Sequence, residues 1–375
     1  MTDHTDFPYT RHPDLTYAVV QASGPDNPRN DTASVAKLAN GDLMVVWHKY
    51  RTGAQGSSDF GVCDIATKRS SDQGRTWDRE RILVKTAAGD NNVQAPALRK
   101  LRNGDLLLVS LQGHKGGESS TMCLFRSTDD GETFLPEPPI WKRSPGQWLQ
   151  GGAPSLLELQ NGRLLLPFHG GVGHQGSQHN VVHCFYSDDG GQHWQRNVEA
   201  LDLPMRGAME ASVAELPDGE LIMSLRTQLG AVFLSRSLDG GESWALAQTS
   251  GVKAPESCTC LRAIPGTDHL ILLWNDSLYD PTHHHYGIRS PLSLALSTDR
   301  GQHWSKVADL AHDFDFNFTN LGCDFINAQQ AIVTYCAYGP NQTVQGKQRG
   351  WLNPEYFDLH ALMLDSDWIY QVTGV

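Results

Sequence analysis

The stretch SRSLDGGESW, residues 235–244, decides the fold. Its Asp carboxylate can accept backbone N–H groups of its own turn, a glycine supplies a positive φ, and the Trp can fill a gap between sheets. The pattern Ser-x-Asp-x-Gly-x-x-Trp/Phe recurs at intervals of 57, 60, 50 and 60 residues, beginning at Ser70, Ser127, Ser187, Ser237 and Ser297. This spacing indicates a repeat architecture, and we interpret the turn as structural.

A second repeat is interleaved with these Asp-type turns. Asn-Gly or Asp-Gly lies between apolar runs, the strongest local signal for a β-hairpin. The four clear copies and two looser ones occupy residues 38–47, 101–110, 159–168, 216–225, 264–274 and 326–335. Six units of about four strands predict an all-β, six-bladed β-propeller. A pair of β-sandwiches is the alternative, but it would not explain six regular hairpins.

We expect one propeller domain over residues 1–375. The first 20 or so residues form a lead-in, and DLTYAVV (14–20) supplies a possible closing strand. The net charge of −12 argues against non-specific nucleic-acid binding. No signal peptide and no apolar run of about 18 residues are visible, so a cytoplasmic protein without membrane contact is expected. The seven cysteines lack zinc-site spacing, and neither a metal nor a cofactor is expected.

Polar residues recur at one step after the hairpins. Counting seven positions beyond the hairpin glycine reaches His48, His169 and Arg226 in three different units. We predict that these residues share one level at a mouth of the central channel. Glu210, in the strand before the fourth hairpin, is predicted to face the same channel.

These segments carry a family resemblance. The Asp-type turns, MEASVAELPDGELIMSLRT (209–227) and RSPLSLALSTDRGQHW (289–304) resemble the sialidase (neuraminidase) superfamily, in particular its bacterial Asp-box members. The resemblance begins near residue 25. It implies a glycosidase that removes an acidic sugar by exo action and binds the sugar's carboxylate with Arg29, Arg226 and Arg289. Planar guanidinium groups suit this task because they bind a carboxylate bidentately.

The resemblance also implies the catalytic carboxylates. Asp59 corresponds best to the family's acid/base residue, with Asp64 as the competing choice. An acid in this position must protonate the leaving-group oxygen, which requires a raised pKa. Glu210 corresponds to the family's Glu, which assists the nucleophile.

The family's nucleophilic tyrosine has no clear counterpart. The best register of DFNFTNLGCDF (315–325) places Phe318 at that position. Four tyrosines remain as substitutes, two past the last hairpin and two in a loop: Tyr335, Tyr338, Tyr279 and Tyr286.

Three functions therefore stay open. The first is hydrolysis of an acidic sugar. If no tyrosine serves as the nucleophile, Glu210 can assist direct attack by water, which inverts the anomeric configuration; whether the reaction retains or inverts stays open. The second is a polysaccharide lyase or a His-dependent glycosidase acting on uronic-acid glycans through His48 or His169. The third is a glycan-binding propeller without catalysis. The fold alone does not separate them.

Overall fold

A computed structural model describes residues 7–53, 58–59, 61–114, 120–142, 148–151, 155–171, 179–283, 285–340, 343–344, 347–348 and 356–375. Six antiparallel sheets follow one another along this part of the chain. Strands are numbered in chain order. Those of the first sheet are β3 (Asn30–Lys37), β4 (Leu43–Tyr50), β5 (Cys63–Ser70) and β6 (Arg81–Val84). Those of the second are β7 (Asn92–Lys100), β8 (Leu106–Gly113), β9 (Ser120–Ser127) and β10 (Leu135–Lys142).

The third and fourth sheets continue this pattern. The third contains β11 (Trp148–Gly151), β12 (Leu157–Glu158), β13 (Leu164–Gly171), β14 (Asn180–Ser187) and β15 (Gln195–Arg196). The fourth contains β16 (Met209–Glu215), β17 (Leu221–Arg226), β18 (Ala231–Ser237) and β19 (Gln248–Lys253).

The last two sheets also take in strands from the start of the chain. The fifth contains β20 (Cys260–Ala263), β21 (Leu270–Asn275), β22 (Leu292–Ser297), β23 (Ser305–His312) and β1 (Thr10–Arg11). The sixth contains β24 (Asn317–Phe325), β25 (Gln330–Gly339), β28 (Tyr356–Asp365) and β2 (Thr16–Gln21). Outside the six sheets lie a small ribbon and a helix, β26 (Thr343–Val344), β27 (Lys347–Gln348) and α1 (Ser366–Thr373).

The inner strands form a ring. Strand β3 contacts β7, β16 contacts both β13 and β20, and β24 contacts both β20 and β3. The ring is therefore closed between the sixth and first sheets, and the predicted six-bladed β-propeller is confirmed. Strand β2 pairs with β28 as the outer strand of the sixth sheet, so the chain's beginning and end meet in one blade. No helix among the described residues is long and apolar enough to cross a membrane.

The five Asp-type turns share one hydrogen-bond pattern. In the fourth blade, the Ser237 hydroxyl accepts the Gly241 N–H at 2.9 Å and donates to Asp239 at 2.8 Å. The same Asp239 oxygen accepts the Ser243 N–H at 2.9 Å. Gly241 has φ of 90°, a conformation that favours glycine, and an added Cβ would lie 2.7 Å from Leu165 of the third blade. The turn thus satisfies its own polar groups while packing against the preceding blade.

Arginines join each of the first four blades to the next. A guanidinium in one blade donates to a backbone carbonyl in the Asp-type turn of the following blade. The four pairs are Arg69 with Asp130 (3.0 Å), Arg126 with Gly190 (2.7 Å), Arg163 with Gly240 (3.3 Å) and Arg236 with Arg300 (2.6 Å). The repeated turn therefore also provides a docking point between neighbouring sheets.

An aromatic cluster joins Tyr9, near the start of the chain, to strands of the sixth blade. The hydroxyls of Tyr9 and Tyr335 lie 3.0 Å apart, and the buried His360 stacks on Tyr335 with centroids 5.3 Å apart. His360 Nε2 lies 2.9 Å from the Tyr356 hydroxyl. Burial lowers the pKa of His360 to about 3, so the imidazole is neutral in the folded protein.

Replacing Ser237 or Asp239 with Ala should lower the free energy of unfolding by about 1–2 kcal/mol each, because amides of the turn lose their side-chain acceptors. Chemical denaturation measures this change. Leu238→Ser in the same turn is the matched control, since Leu238 is 85% exposed. Equal losses in all three variants would contradict the assigned role of the Ser–Asp pair.

Acid should weaken the fold through His360. Its pKa is lower in the folded protein than the value of about 6.5 in an unfolded chain, so the unfolded state binds the extra proton. Above the unfolded-state pKa of about 6.5, this group leaves the free energy of unfolding unchanged. Between pH 6 and 5, this group alone lowers the free energy of unfolding by about 1.4 kcal/mol per pH unit. Denaturation at several pH values should show a smaller slope for His360→Gln. An unchanged slope would contradict the assignment.

Candidate active site

The mouth of the channel is shaped by bulges in the inner strands. Four residues of these strands have a positive φ although none is glycine: Thr32 (43°), Ala95 (52°), Glu210 (42°) and Asn320 (52°). Each lies where the pairing with the neighbouring strand shifts register. The first three also stand nine residues before a hairpin glycine. A bulge redirects side chains locally, and residues at or beside three of these bulges, Asp31, Glu210 and Thr319, make the contacts described below.

Arg29 and Asp59 meet on the first blade. Arg29 Nη1 donates to Asp59 at 2.7 Å, and its Nε donates to Asp31 at 2.7 Å. Asp31 is fully buried, and it also accepts from Asn320 and from Cys336, whose Sγ is 3.0 Å away. Burial alone would raise the pKa of Asp31, but the Arg29 charge together with hydrogen bonds from His48 and Cys336 holds that pKa far below its usual range. Asp31 is therefore an ionised, buried support for Arg29.

The structure separates the two candidate acids. The Asp59 side chain is 70% exposed and pairs with Arg29, whereas Asp64 is buried and bonds Arg51 Nη2 at 2.9 Å and the Thr86 N–H at 2.8 Å. The expectation of a raised pKa for Asp59 is wrong for the free protein. Desolvation favours such a rise, but the adjacent Arg29 charge lowers the pKa of Asp59.

A second set of ion pairs lies on the fourth and fifth blades. Arg226 Nη1 donates to Glu210 at 2.7 Å, and Arg226 Nη2 is 3.2 Å from Glu256. Arg206 Nη1 reaches the same Glu256 carboxylate at 2.5 Å. Burial favours a higher pKa for Glu210, but the charge and hydrogen bond of Arg226, together with His169 and Arg289, lower that pKa. Both carboxylates are therefore ionised at neutral pH.

Arg289 lies beside the ion pairs of Arg226 and contacts Thr319, whose neighbour Asn320 bonds Asp31 of the first set. It is only 8% exposed, its Nη1 donates to the Thr319 hydroxyl at 3.2 Å, and its Nη2 donates to the Glu256 carbonyl at 3.2 Å. The Tyr338 hydroxyl also contacts it. Across the described part of the chain, no carboxylate oxygen lies within 4.0 Å of the Arg289 guanidinium. It is thus a buried cation without an acidic partner, in contact with the same residue as Arg226.

The two predicted histidines lie next to the residues of the site, and each accepts a hydrogen bond from a backbone N–H. His48 Nδ1 accepts the Ala95 N–H at 3.0 Å, and His169 Nδ1 accepts the Glu210 N–H at 3.3 Å. His48 Nε2 lies 3.6 Å from Asp31. Burial lowers the pKa of His169 to about 4, so this ring is neutral.

The structure does not bring the Phe318 side chain to the site. Phe318 is fully buried in the core, with its ring centroid 4.9 Å from that of Tyr9. The bulge at Asn320 shifts the strand, and its site-facing residues are Thr319, which contacts Arg289, and Asn320, which contacts Asp31. The physical reason is the extra residue of the bulge, which the local sequence does not reveal.

Of the four tyrosines considered, only Tyr338 contacts a predicted site residue. Tyr335 bonds Tyr9 in the core, and Tyr279 and Tyr286 stack on each other with centroids 5.5 Å apart. Burial raises the pKa of Tyr338, although Arg289 and Arg29 oppose the rise.

Sequence reasoning missed three charged residues, Asp31, Arg206 and Glu256. Asp31 stands two residues after Arg29, which is the one local signal available. Glu256 and Arg206 are 50 residues apart, and neither lies in a recognisable motif. Within the described residues, no group of three or more His, Cys, Asp or Glu side chains is arranged to hold a metal ion, and all seven cysteines are free thiols.

Comparison with known proteins places this propeller in a family. The model of the BNR repeat-like domain matches residues 41–326. The chain belongs to the BNR repeat-like family. A sialidase from Paraclostridium sordellii is 25% identical to this BNR repeat-like chain over 234 residues, which cover 56% of each protein. The chain thus spans little more than half of that relative.

Solved structures share the fold of this BNR propeller. A Trypanosoma rangeli sialidase, solved with 2,3-difluorosialic acid as a covalent intermediate, superposes with a TM-score of 0.71 at 14% identity, covering 97% of this chain and 61% of that one. A protein of unknown function from Dyadobacter fermentans gives 0.69 at 18% identity, covering 94% and 100%. At these identities the likeness shows the sialidase-like propeller fold alone.

Asp31→Asn should lower the free energy of unfolding by about 3–5 kcal/mol, because it removes the buried carboxylate that pairs with Arg29 and leaves the more exposed Asp59 to balance that charge. Chemical denaturation measures the loss. Asp64→Asn is the matched control, and it should cost less because the side chain of its partner Arg51 is 49% exposed. Similar losses in both variants would show that Asp31 has no special part in holding the site.

Proposed function

We propose that the protein is an exo-acting glycoside hydrolase that releases an acidic, carboxylate-bearing sugar from a glycan. The observation that carries this proposal is Arg289, a buried guanidinium without a carboxylate partner among the described residues. A buried charge is costly unless it is paired, and a sugar carboxylate would pair it in two parallel hydrogen bonds. The resemblance to proteins named sialidases supports the same class of substrate, a sialylated glycan.

Arg226 and Arg29 would complete the carboxylate site from two sides. Arg226 lies next to Arg289 because both contact Glu256, one at the carboxylate and one at the carbonyl. Arg29 is held by Asp31 and Asp59. These internal carboxylates keep both guanidinium groups oriented before substrate arrives, which reduces the reorganisation needed on binding.

Asp59 would act as the general acid after substrate binds. In the free protein Arg29 lowers the pKa of Asp59 and keeps the carboxylate ionised. A substrate carboxylate beside Arg29 offsets part of that positive charge and adds a like charge near Asp59. Both effects raise the pKa of Asp59, so it can take up a proton and give it to the leaving-group oxygen.

Glu210 would activate the attacking water. It is ionised and held by Arg226. Among the described residues no tyrosine hydroxyl lies within hydrogen-bond distance of the Glu210 carboxylate. Water would then lose a proton to Glu210 and form a bond to the anomeric carbon while the bond to the leaving oxygen breaks. This one-step displacement inverts the anomeric configuration.

Glu210→Gln and Asp59→Asn should each lower kcat/KM on aryl glycosides of acidic sugars by about 100-fold or more, because each removes a proton-transfer group. Asp64→Asn is the control and should keep its activity, since Asp64 bonds Arg51 and Thr86 instead. Release of the aryl group measures the rates.

A fluorosugar that traps a tyrosyl intermediate should leave no adduct on the protein, as read by intact mass. An adduct on Tyr338 would overturn water attack in favour of a covalent route. Full activity of Glu210→Gln would move the chemistry to other residues. An acidic sugar that binds without cleavage would make the protein a glycan-binding propeller.

A further inference from the structure

The inner-strand bulges share a feature that the proposed reaction does not use. Each leaves one backbone N–H without a ladder partner, and an unpaired buried amide is costly. In every described case a side chain supplies the acceptor. The acceptors are Asp31 Oδ1 for Thr32 (2.8 Å), His48 Nδ1 for Ala95 (3.0 Å), His169 Nδ1 for Glu210 (3.3 Å) and Cys258 Sγ for Asn320 (3.0 Å).

We propose that His169 and His48 are positioning residues that hold bulge amides of the next blade through Nδ1, and that neither transfers a proton to substrate. The four acceptors are a carboxylate, two imidazoles and a sulfur, which share the ability to accept a hydrogen bond but not a common acid–base chemistry. His169 matters most, because the amide that it holds belongs to Glu210, whose φ is 42°.

The hydrogen bond fixes the tautomer of His169. An Nδ1 that accepts from the Glu210 N–H carries no proton, so the proton of the neutral ring is on Nε2. To accept a proton at Nε2, the ring would have to become positively charged, or move its proton to Nδ1 and face the amide donor with another donor. The charged groups around the ring are Glu210, Arg226 and Arg206, and burial keeps the ring neutral with a pKa of about 4.

The same reasoning applies to His48. Its Nδ1 accepts from Ala95 of the second blade, which leaves Nε2–H directed towards the carboxylate of Asp31 at 3.6 Å. His48 therefore joins the bulge of one blade to the buried acid that holds Arg29. His48 of the first blade thus supports the inner strand of the second, and His169 of the third blade supports that of the fourth.

Asparagine and glutamine substitutions separate positioning from proton transfer at His169. Asn Oδ1 is bonded to Cγ, as His Nδ1 is, so it can accept the Glu210 N–H in place of Nδ1. The longer Gln side chain puts its amide near the position of Nε2 instead. Neither amide transfers protons. The kinetic comparison rests on the proposed hydrolase activity and uses aryl glycosides of acidic sugars, with the exposed His193→Asn as the matched control.

Positioning predicts that His169→Asn stays within about tenfold of the parent kcat/KM, while His169→Gln and His169→Leu lose about 100-fold through displacement of Glu210. Equal loss in all three variants would overturn the proposal and assign proton transfer to the ring. Thermal unfolding of each variant checks that the comparison is made on folded protein.

A spectroscopic measurement tests the same inference without catalysis. Long-range ¹H–¹⁵N correlations of histidine-labelled protein, assigned with the His169→Asn variant, should show a neutral ring with its proton on Nε2 at pH 6 to 8. A protonated Nδ1 would overturn the proposal. If the parent protein hydrolyses no acidic sugar, the proposed function fails while this measurement still decides the role of His169.

Discussion

A backbone constraint in the inner strands underlies the whole site. Each described bulge adds a residue of positive φ, and it redirects one short segment while leaving an amide to be satisfied. The segments so placed carry Asp31, Glu210 and Thr319. Bulges of this kind are common next to active sites, because they re-aim a side chain without breaking the sheet around it. The propeller arranges the inner strands in a ring, and the bulges determine which side chains of those strands reach the site.

Buried charge is the second determinant of the site. Arg29 and Arg226 are each held by two carboxylates, whereas Arg289 has only hydroxyl and carbonyl acceptors among the described residues. A folded protein retains an imbalance of this kind at a cost in stability. An anionic ligand that pairs with Arg289 would offset this cost. The same side chain therefore lowers the stability of the free protein and favours binding of an anion.

The sequence predicted those turns, hairpins and contacts that form between residues close together in the chain. The Asp-type turns and hairpins were found because the Ser, Asp and Gly that close a turn lie within seven residues of one another. Glu210 and Arg226 lie on paired strands of one hairpin, so their meeting also follows from short-range register. The partnership of Asp31 with Asn320 spans 289 residues and depends on ring closure. Phe318 was misplaced because a bulge shifted its strand.

Calorimetric titration of an acidic sugar and of its carboxamide analogue tests the central claim most directly. The two ligands differ only in the charge that Arg289 is assigned to bind. We predict that the acid binds the parent protein at least tenfold more tightly than the amide, and that Arg289→Ala strongly reduces this difference while Arg226 and Arg29 retain part of it. Equal affinity of the two ligands for the parent protein, or a preference for the acid that is undiminished in Arg289→Ala, would contradict the account.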